Sequence, residues 1–433
     1  MPLLTVSPIQ SVAWPADLPA FVRLEAEGEL VVPLAAGRQG QVIAVRPAGT
    51  RVSVGEILTQ SIPEGGHIPV APVAGTLGAV RQVTLVGGAS VPAVVITPDP
   101  AAKADSPSDI DASRWLSASR EDLADFIHHL QRGGVHADRR SSPDLIGQLL
   151  QVLRRPVDTI LVSLLDSDPP LRLSAAMAVH EPSRLIQAIA ALRAVCGATR
   201  SMIVIDDSMP ARWLADVRAL AREARVRIVE IENDYPQSDP TILLHRLWQR
   251  RLRPARLPVE QGVLLLDGPA AAAVGVWLTD GQPMSRVAVG VFDHVQGEQH
   301  YALVPVGTTV STLLAGLEID LQHTVLRSGA MLRDIPTSGD HVIGGGELIL
   351  HVLPRERQPA ASPCIRCGWC VQGCPTRIQP AGLLEAAQRE DLALADHYRL
   401  ESCIECGICS WVCPAHLPIL DGIRFLRELR SQS

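Results

Sequence analysis

Lysine is almost missing from this sequence. Lys103 is the only one among 433 residues, and arginine supplies every other Lys or Arg charge. Chemistry that needs a lysine, such as a Schiff base or a phosphate-binding lysine loop, has almost nothing to work with. Aromatic residues are sparse too: seven Trp, three Tyr and four Phe make up 3% of the chain. That leaves few platforms for stacking single-stranded bases. The net charge is −7, so the chain is a poor non-specific phosphate binder and nucleic acid is not an expected partner. A membrane span needs about 20 clean apolar residues. The most apolar stretch, 262–278, is interrupted by Asp267 and Pro269. No basic residue precedes Arg23, while Pro2, Pro8 and Pro15 do, a pattern unlike a secretory signal. The expectation is a soluble chain in a reducing compartment, free to dock on a membrane without crossing it.

What is present is a folding composition, 47% hydrophobic and 20% charged, with a length that suits about three domains. Residues 30–97 read as short β-rich runs cut by Gly and Pro: 31–33, 41–45, 75–77 and 93–96. Residues 67–75 read as a tight turn, and 99–111 as a polar linker. The period then changes. Helices are expected over 120–132, 144–155, 183–195 (Ser183 as N-cap) and 211–224, and strands over 159–165, 202–205 and 226–231. Alternating strands and helices imply an α/β domain with a mostly parallel sheet. From 259 to 353 the runs shorten again, with one helix over 308–317 and a hairpin around Gly344, Gly345 and Gly346. This reads as a small β-rich module.

Eight of the nine cysteines lie between Cys364 and Cys413. Cys364, Cys367, Cys370 and Cys374 precede Pro375; Cys403, Cys406, Cys409 and Cys413 precede Pro414. Each run is C-x2-C-x2-C-x3-C-P, the bacterial two-cluster ferredoxin pattern, in which the fourth cysteine serves the other cluster. One [4Fe–4S] cluster is therefore expected on Cys364, Cys367, Cys370 and Cys413. The second is expected on Cys403, Cys406, Cys409 and Cys374. Structural zinc is the alternative, but zinc sites use two spaced cysteine pairs. Gly368 and Gly407 let the backbone approach inorganic sulfide, and Ile365, Ile404, Trp369 and Trp411 are expected to exclude water. Helix is expected over most of 379–398 and over 419–430. On the latter Arg424, Arg427 and Arg430 form a stripe, read as a solvated face or a docking surface for an acidic partner. Cys196 reads as a buried thiol, and His128, His129 and His136 as surface histidines.

The order of these parts resembles RnfC, the peripheral NADH-side subunit of Rnf (Rsx) ion-translocating electron-transport complexes. The resemblance rests on Pro33-Leu34, Pro69-Val70-Ala71-Pro72-Val73-Ala74-Gly75-Thr76, Val157-Asp158-Thr159-Ile160, Tyr235-Pro236-Gln237 and both cysteine runs. It implies a multidomain α/β plus β fold. An N-terminal β-sandwich-like module (1–98) and a linker (99–112) would precede an α/β domain similar to the complex I flavin subunit (113–258). A small β-grasp-like module (259–353) and a dicluster ferredoxin domain (354–433) would follow.

In that family a glycine-rich loop ending Phe-Pro-Thr, an Asn-x-x-Glu-x-Glu-Pro element and an Asn-x-Gly-Thr element would hold FMN and NADH. Here the first reads Gly134-Val135-His136-Ala137-Asp138-Arg139-Arg140-Ser141-Ser142-Pro143. The second reads Ser163-Leu164-Leu165-Asp166-Ser167-Asp168-Pro169, and the third Asp267-Gly268-Pro269-Ala270. A phosphate loop needs small residues and free N–H groups. The region around Asp138, Arg139, Asp166 and Asp168 is thus expected to be a lost or heavily remodelled FMN/NADH site, with no catalytic residue assigned. The resemblance implies the other members of an Rnf-type complex as partners, with ferredoxin or NADH as soluble donor or acceptor. It also implies a peripheral position on the cytoplasmic side of a bacterial inner membrane. Two other readings remain: a soluble reductase of a cofactor such as cobalamin, and a docking scaffold whose clusters are mainly structural.

Overall fold

The computed structural model describes residues 14–15, 17–26, 28–34, 45–60, 68–101, 113–254, 256–355 and 359–432. Most of the expected strand at 41–45, the start of the turn at His67, and Lys103 with most of its linker lie outside the described residues.

A four-stranded parallel sheet lies at the centre, in the order Arg227–Ile231, Arg200–Asp206, Thr159–Ser163, Val263–Asp267. Side chains alternate between its faces, as a strand requires. Ile160, Val162, Ile203, Ile205, Leu264 and Leu266 enter one core, beneath the helices Leu123–Arg132, Leu145–Arg154, Pro182–Cys196 and Gly268–Asp280. Leu161, Met202, Val204, Val263 and Leu265 enter another, which includes Leu243 and Leu244 of the helix Pro240–Trp248. Both faces are covered, which is why these strands read as continuous apolar runs.

One boundary moves. The sequence placed everything after 258 in the small β-rich module, yet Val263–Asp267 pairs in parallel with Thr159–Ser163, and the helix Gly268–Asp280 packs on Pro182–Cys196. Gly268 and Pro269 looked like breakers. They are a helix start: the Asp267 side chain accepts the Ala270 N–H, and Pro269 sits in the first turn, where its missing N–H costs nothing. Ser183 is likewise not a cap; its helix begins at Pro182 behind Glu181.

The other two sheets flank this domain. Leu30–Pro33, Ser90–Pro98, Gly75–Thr84 and Arg51–Val52 form an antiparallel sheet. A six-stranded mixed sheet is built mainly from residues 286–354, with Phe21–Arg23 added at its edge in parallel with Glu298–Pro305. Gly344, Gly345 and Gly346 do not turn a hairpin. They lie in a loop before the strand Ile349–Pro354, which pairs with Arg286–Asp293 and Thr324–Ser328. The cysteine segment is helical, with Pro380–Gln388, Leu392–His397 and Ile419–Gln432 packed through Leu383, Ala395, Ile423 and Leu426. The expected single helix over 379–398 is broken at Glu390, where φ is +52°.

The helix Gly268–Asp280 approaches its neighbour very closely: a Cβ on Gly275 would stand 2.2 Å from the Arg184 carbonyl oxygen. Gly275→Ala is therefore expected to lower stability by about 1–3 kcal/mol, although alanine is the better helix former. Urea denaturation checks this, and an unchanged or raised midpoint would contradict the packing.

Candidate functional site: the cysteine segment and the altered nucleotide region

The two cysteine runs repeat one backbone. Arg366 and Glu405, each two residues into its run, take left-handed φ of +57° and +51°. Gly368 and Gly407 take +81° and +78°, each opening a short helix, Trp369–Gln372 and Ile408–Trp411. Arg377 and His416, each three residues past the fourth cysteine, are left-handed again. Identical conformations at identical spacing follow from one repeated sequence pattern.

The structure brings Cys374 of the first run together with Cys403, Cys406 and Cys409 of the second. All four line one cavity of about 320 Å³, with Ile404, Ile378 and Ile423 in its wall. Burial pushes the Cys403 thiol up to about 11 and Cys406 up to about 12, so iron binding there must displace protons. Around Cys370, burial and then the charges of Cys367 and Cys413 act together. Among the described residues no three His, Cys, Asp or Glu side chains converge on one metal ion, so a mononuclear zinc site is not what these thiols form. The donor set, four thiolates around a cavity, fits a cubane.

The surroundings of the two runs differ. Cys403, Cys406 and Cys409 are buried, whereas Cys364 and Cys367 are exposed. A Cβ on Gly407 would fall 1.7 Å from the Leu332 carbonyl oxygen; one on Gly368 would meet nothing within 4 Å. The second run is thus docked onto the 330–333 loop, where Tyr235, Ala330, Ile404, Cys406 and Ile408 share a core. Tyr235 Oη donates to the Cys406 carbonyl at 2.5 Å. Of the four residues expected to exclude water, only Ile404 does; Ile365, Trp369 and Trp411 are 67%, 53% and 49% exposed. The arginine stripe is neither a free solvated face nor a docking surface. Arg424 donates to the Arg333 and Asp334 carbonyls, Arg427 to Cys403 O at 2.6 Å, and Arg430 to Asp396 and Glu401. They staple the terminal helix to its surroundings.

The altered nucleotide region is closed by the chain itself. Arg139 grips Asp267 with Nε and Nη2, each at 2.5 Å, and donates to Gly345 O through Nη1 at 3.1 Å. The two side chains are only 7% and 2% exposed. Ser141 Oγ adds a 2.9 Å bond to Asp267. His136 is buried, not on the surface, and a Cβ on Gly345 would stand 2.0 Å from its Nε2. His129 lies between Trp115 and Trp277, with ring centroids at 5.1 and 5.0 Å; His128 is exposed. Burial holds His129 and His136 down at about 4. Cys196 is buried in the main core, and burial lifts its thiol to about 12.

Asp138 faces solvent. Asp166 accepts the Ser174 N–H and hydroxyl at 2.8–3.1 Å, yet burial raises its carboxyl to about 8. Asp168 accepts the Met331 N–H and lies 3.0 Å from His351 Nε2. Burial opposes charge on His351, but the Asp168 carboxylate outweighs it and raises the imidazole. His351 Nδ1 in turn lies 3.0 Å from His294 Nε2. Sequence reasoning missed His351, His294 and Arg333, because nothing local marks a strand histidine or a loop arginine as belonging to a distant loop.

Residues 148–275 match the model of the Nuo51 FMN-binding domain, and 363–418 that of a 4Fe-4S dicluster domain. The RnfC protein of the ion-translocating oxidoreductase complex of Pectobacterium carotovorum is 24% identical over 86% of this chain and 50% of its own length. The corresponding protein of the Na(+)-translocating ferredoxin:NAD(+) oxidoreductase complex of Acetobacterium woodii is 24% identical over 84% of this chain and 85% of its own. The chain is RnfC-like. It spans about half the length of several RnfC relatives it matches. Cobalamin reductase PduS of Citrobacter freundii is 25% identical over 64% of this chain and 66% of its own. An NAD+-reducing [NiFe]-hydrogenase in the air-oxidized state shares the fold, with TM-score 0.50 and 14% identity over 74% of this chain and 65% of that one.

The RnfC-like α/β domain keeps the fold of a flavin domain without residues that fit FMN. A helix N-terminus attracts an anion, but here Asp267 already caps it and Arg139 already neutralises Asp267. A phosphate would have to displace a buried carboxylate. Arg139→Ala is expected to cost about 3–5 kcal/mol, because it strands the Asp267 charge. The double change Arg139→Ala with Asp267→Asn should recover much of that loss. Chemical denaturation of the three variants checks it; equal loss in single and double variants would contradict the pairing.

Proposed function

We propose that this chain is an electron-relay subunit of a membrane-associated, ion-translocating oxidoreductase of the Rnf type. Single electrons would pass through two [4Fe–4S] clusters. The observation that carries this reading is the crosswise meeting of Cys374 with Cys403, Cys406 and Cys409 around one cavity, the arrangement a dicluster ferredoxin needs. Cys364, Cys367, Cys370 and Cys413 would hold the exposed cluster. The clusters supply one-electron redox chemistry; the chain's own side chains orient and shield them. Ile404 keeps water from the buried site, and Tyr235 and Arg427 fix the carbonyls of Cys406 and Cys403.

In our reading the RnfC-like nucleotide region no longer takes FMN or NADH, so the electron donor is a protein, either a ferredoxin-like carrier or another member of the complex. Among the described residues no helix is long and apolar enough to cross a membrane. Docking would therefore be peripheral, and we place it on the cytoplasmic face with the rest of the complex. A cobalamin-type reductase is not favoured, since the match to such an enzyme covers less of the chain than the RnfC matches do.

Anaerobically reconstituted protein should hold about eight iron and eight sulfide per chain, as two cubanes require. Dithionite should reduce the clusters reversibly, giving an EPR signal. Cys374→Ala should lose about half the iron. Clusters that resist reversible reduction would favour the scaffold reading, and zinc in place of iron would defeat both.

A further inference from the structure

Arg140 and Arg333 come from outside the cysteine segment, yet both line a second cavity of about 210 Å³ together with Ile404 and Cys406. Arg140 has a carboxylate partner, Asp239, at 3.2 Å. Arg333 has none at ion-pair distance among the described residues; its guanidinium meets only the Ser167 hydroxyl, at 3.2 Å. Two like charges share a poorly hydrated cavity with one carboxylate, a costly arrangement unless further negative charge faces them. Burial, and then the like charge of Arg140, pull Arg333 below its usual range.

The neighbouring segment supplies that negative charge. A [4Fe–4S] cluster with its four thiolates carries about two net negative charges. On the protein side, Arg427 donates to Cys403 O and pairs with Glu405, while Arg424 lies 3.9 Å from Glu405. Four guanidiniums therefore stand against two carboxylates, Asp239 and Glu405, an excess of two positive charges. No such excess surrounds the first run. The charged residues of 359–377 are Arg366 and Arg377, both exposed and screened by water and salt.

We propose that Arg140 and Arg333 raise the reduction potential of the cluster held by Cys374, Cys403, Cys406 and Cys409 above that of the exposed cluster, so that the buried cluster fills first. This rests on the reading that both cysteine runs hold clusters. Reduction adds one electron and makes or breaks no bond. Burial alone would oppose the added negative charge. Positive charge held close in a low dielectric reverses that balance. Arg140 and Arg333 are thus positioning residues, acting on the potential through space.

The test is an EPR-monitored redox titration of the reconstituted full chain, with dithionite as reductant. Arg333→Gln should lower the reduced-to-oxidised ratio of the buried cluster about tenfold at fixed ambient potential, which for one electron is about 59 mV. Arg140→Gln should act in the same direction, and Arg333→Lys should restore most of the shift. Cys364→Ala, which removes a ligand of the exposed cluster, identifies the signals. An unmoved buried-cluster potential, or equal movement of both clusters, would overturn the proposal. Iron content separates the failures: wild-type protein without two clusters defeats the underlying reading, whereas full clusters with an unmoved potential defeat only this inference.

Discussion

The buried pair of Arg139 and Asp267 holds together parts that are far apart in sequence. Asp267 ends the strand Val263–Asp267 and caps the helix that follows; Arg139 comes from the loop before Leu145–Arg154 and reaches on to Gly345 of the mixed sheet. A helix N-terminus at the end of a parallel strand is an anion site by construction. In this chain the anion is a side chain and its counter-ion is another. The fold therefore keeps the frame of a flavin domain while the charges that would meet a phosphate are satisfied internally. Removing either member leaves the other buried and unpaired, so this pairing resists piecemeal loss.

That closure shifts the functional weight to the cysteine segment, which is a repeat in unequal surroundings. The same glycine position is pressed against Leu332 in one run and open in the other. The same cysteines are buried in one and exposed in the other. Sequence symmetry sets the ligands, and tertiary contact sets the difference. One site faces the α/β domain and the other faces out, which gives a relay its inside and outside ends. Asp168 has been drawn into this contact: it fixes Met331 in the loop that meets Gly407, and His351 holds it from behind.

The fold and the site were legible to different depths. Cysteine spacing was readable because cluster geometry imposes it on consecutive residues. The strands Thr159–Ser163 and Arg200–Asp206 were readable because burial on both faces demands apolar runs. Gly268-Pro269 misled, because these residues start helices as readily as they break them. The glycine loop at 344–346 misled for a related reason: its job is close packing against His136, which no local pattern announces. The arginine stripe looked like a surface because its carbonyl and carboxylate partners lie in other segments. Long-range polar pairing is the part of a site that periodicity does not encode.

The central claim is that electrons enter this RnfC-like chain without a nucleotide. An anaerobic titration of the reconstituted protein with NADH, FMN supplied and dithionite as the control, tests it most directly. The account predicts that dithionite bleaches the clusters and that NADH does not. Bleaching by NADH, with flavin bound in stoichiometric amount, would contradict it and show that the pairing of Arg139 with Asp267 opens to admit the cofactor.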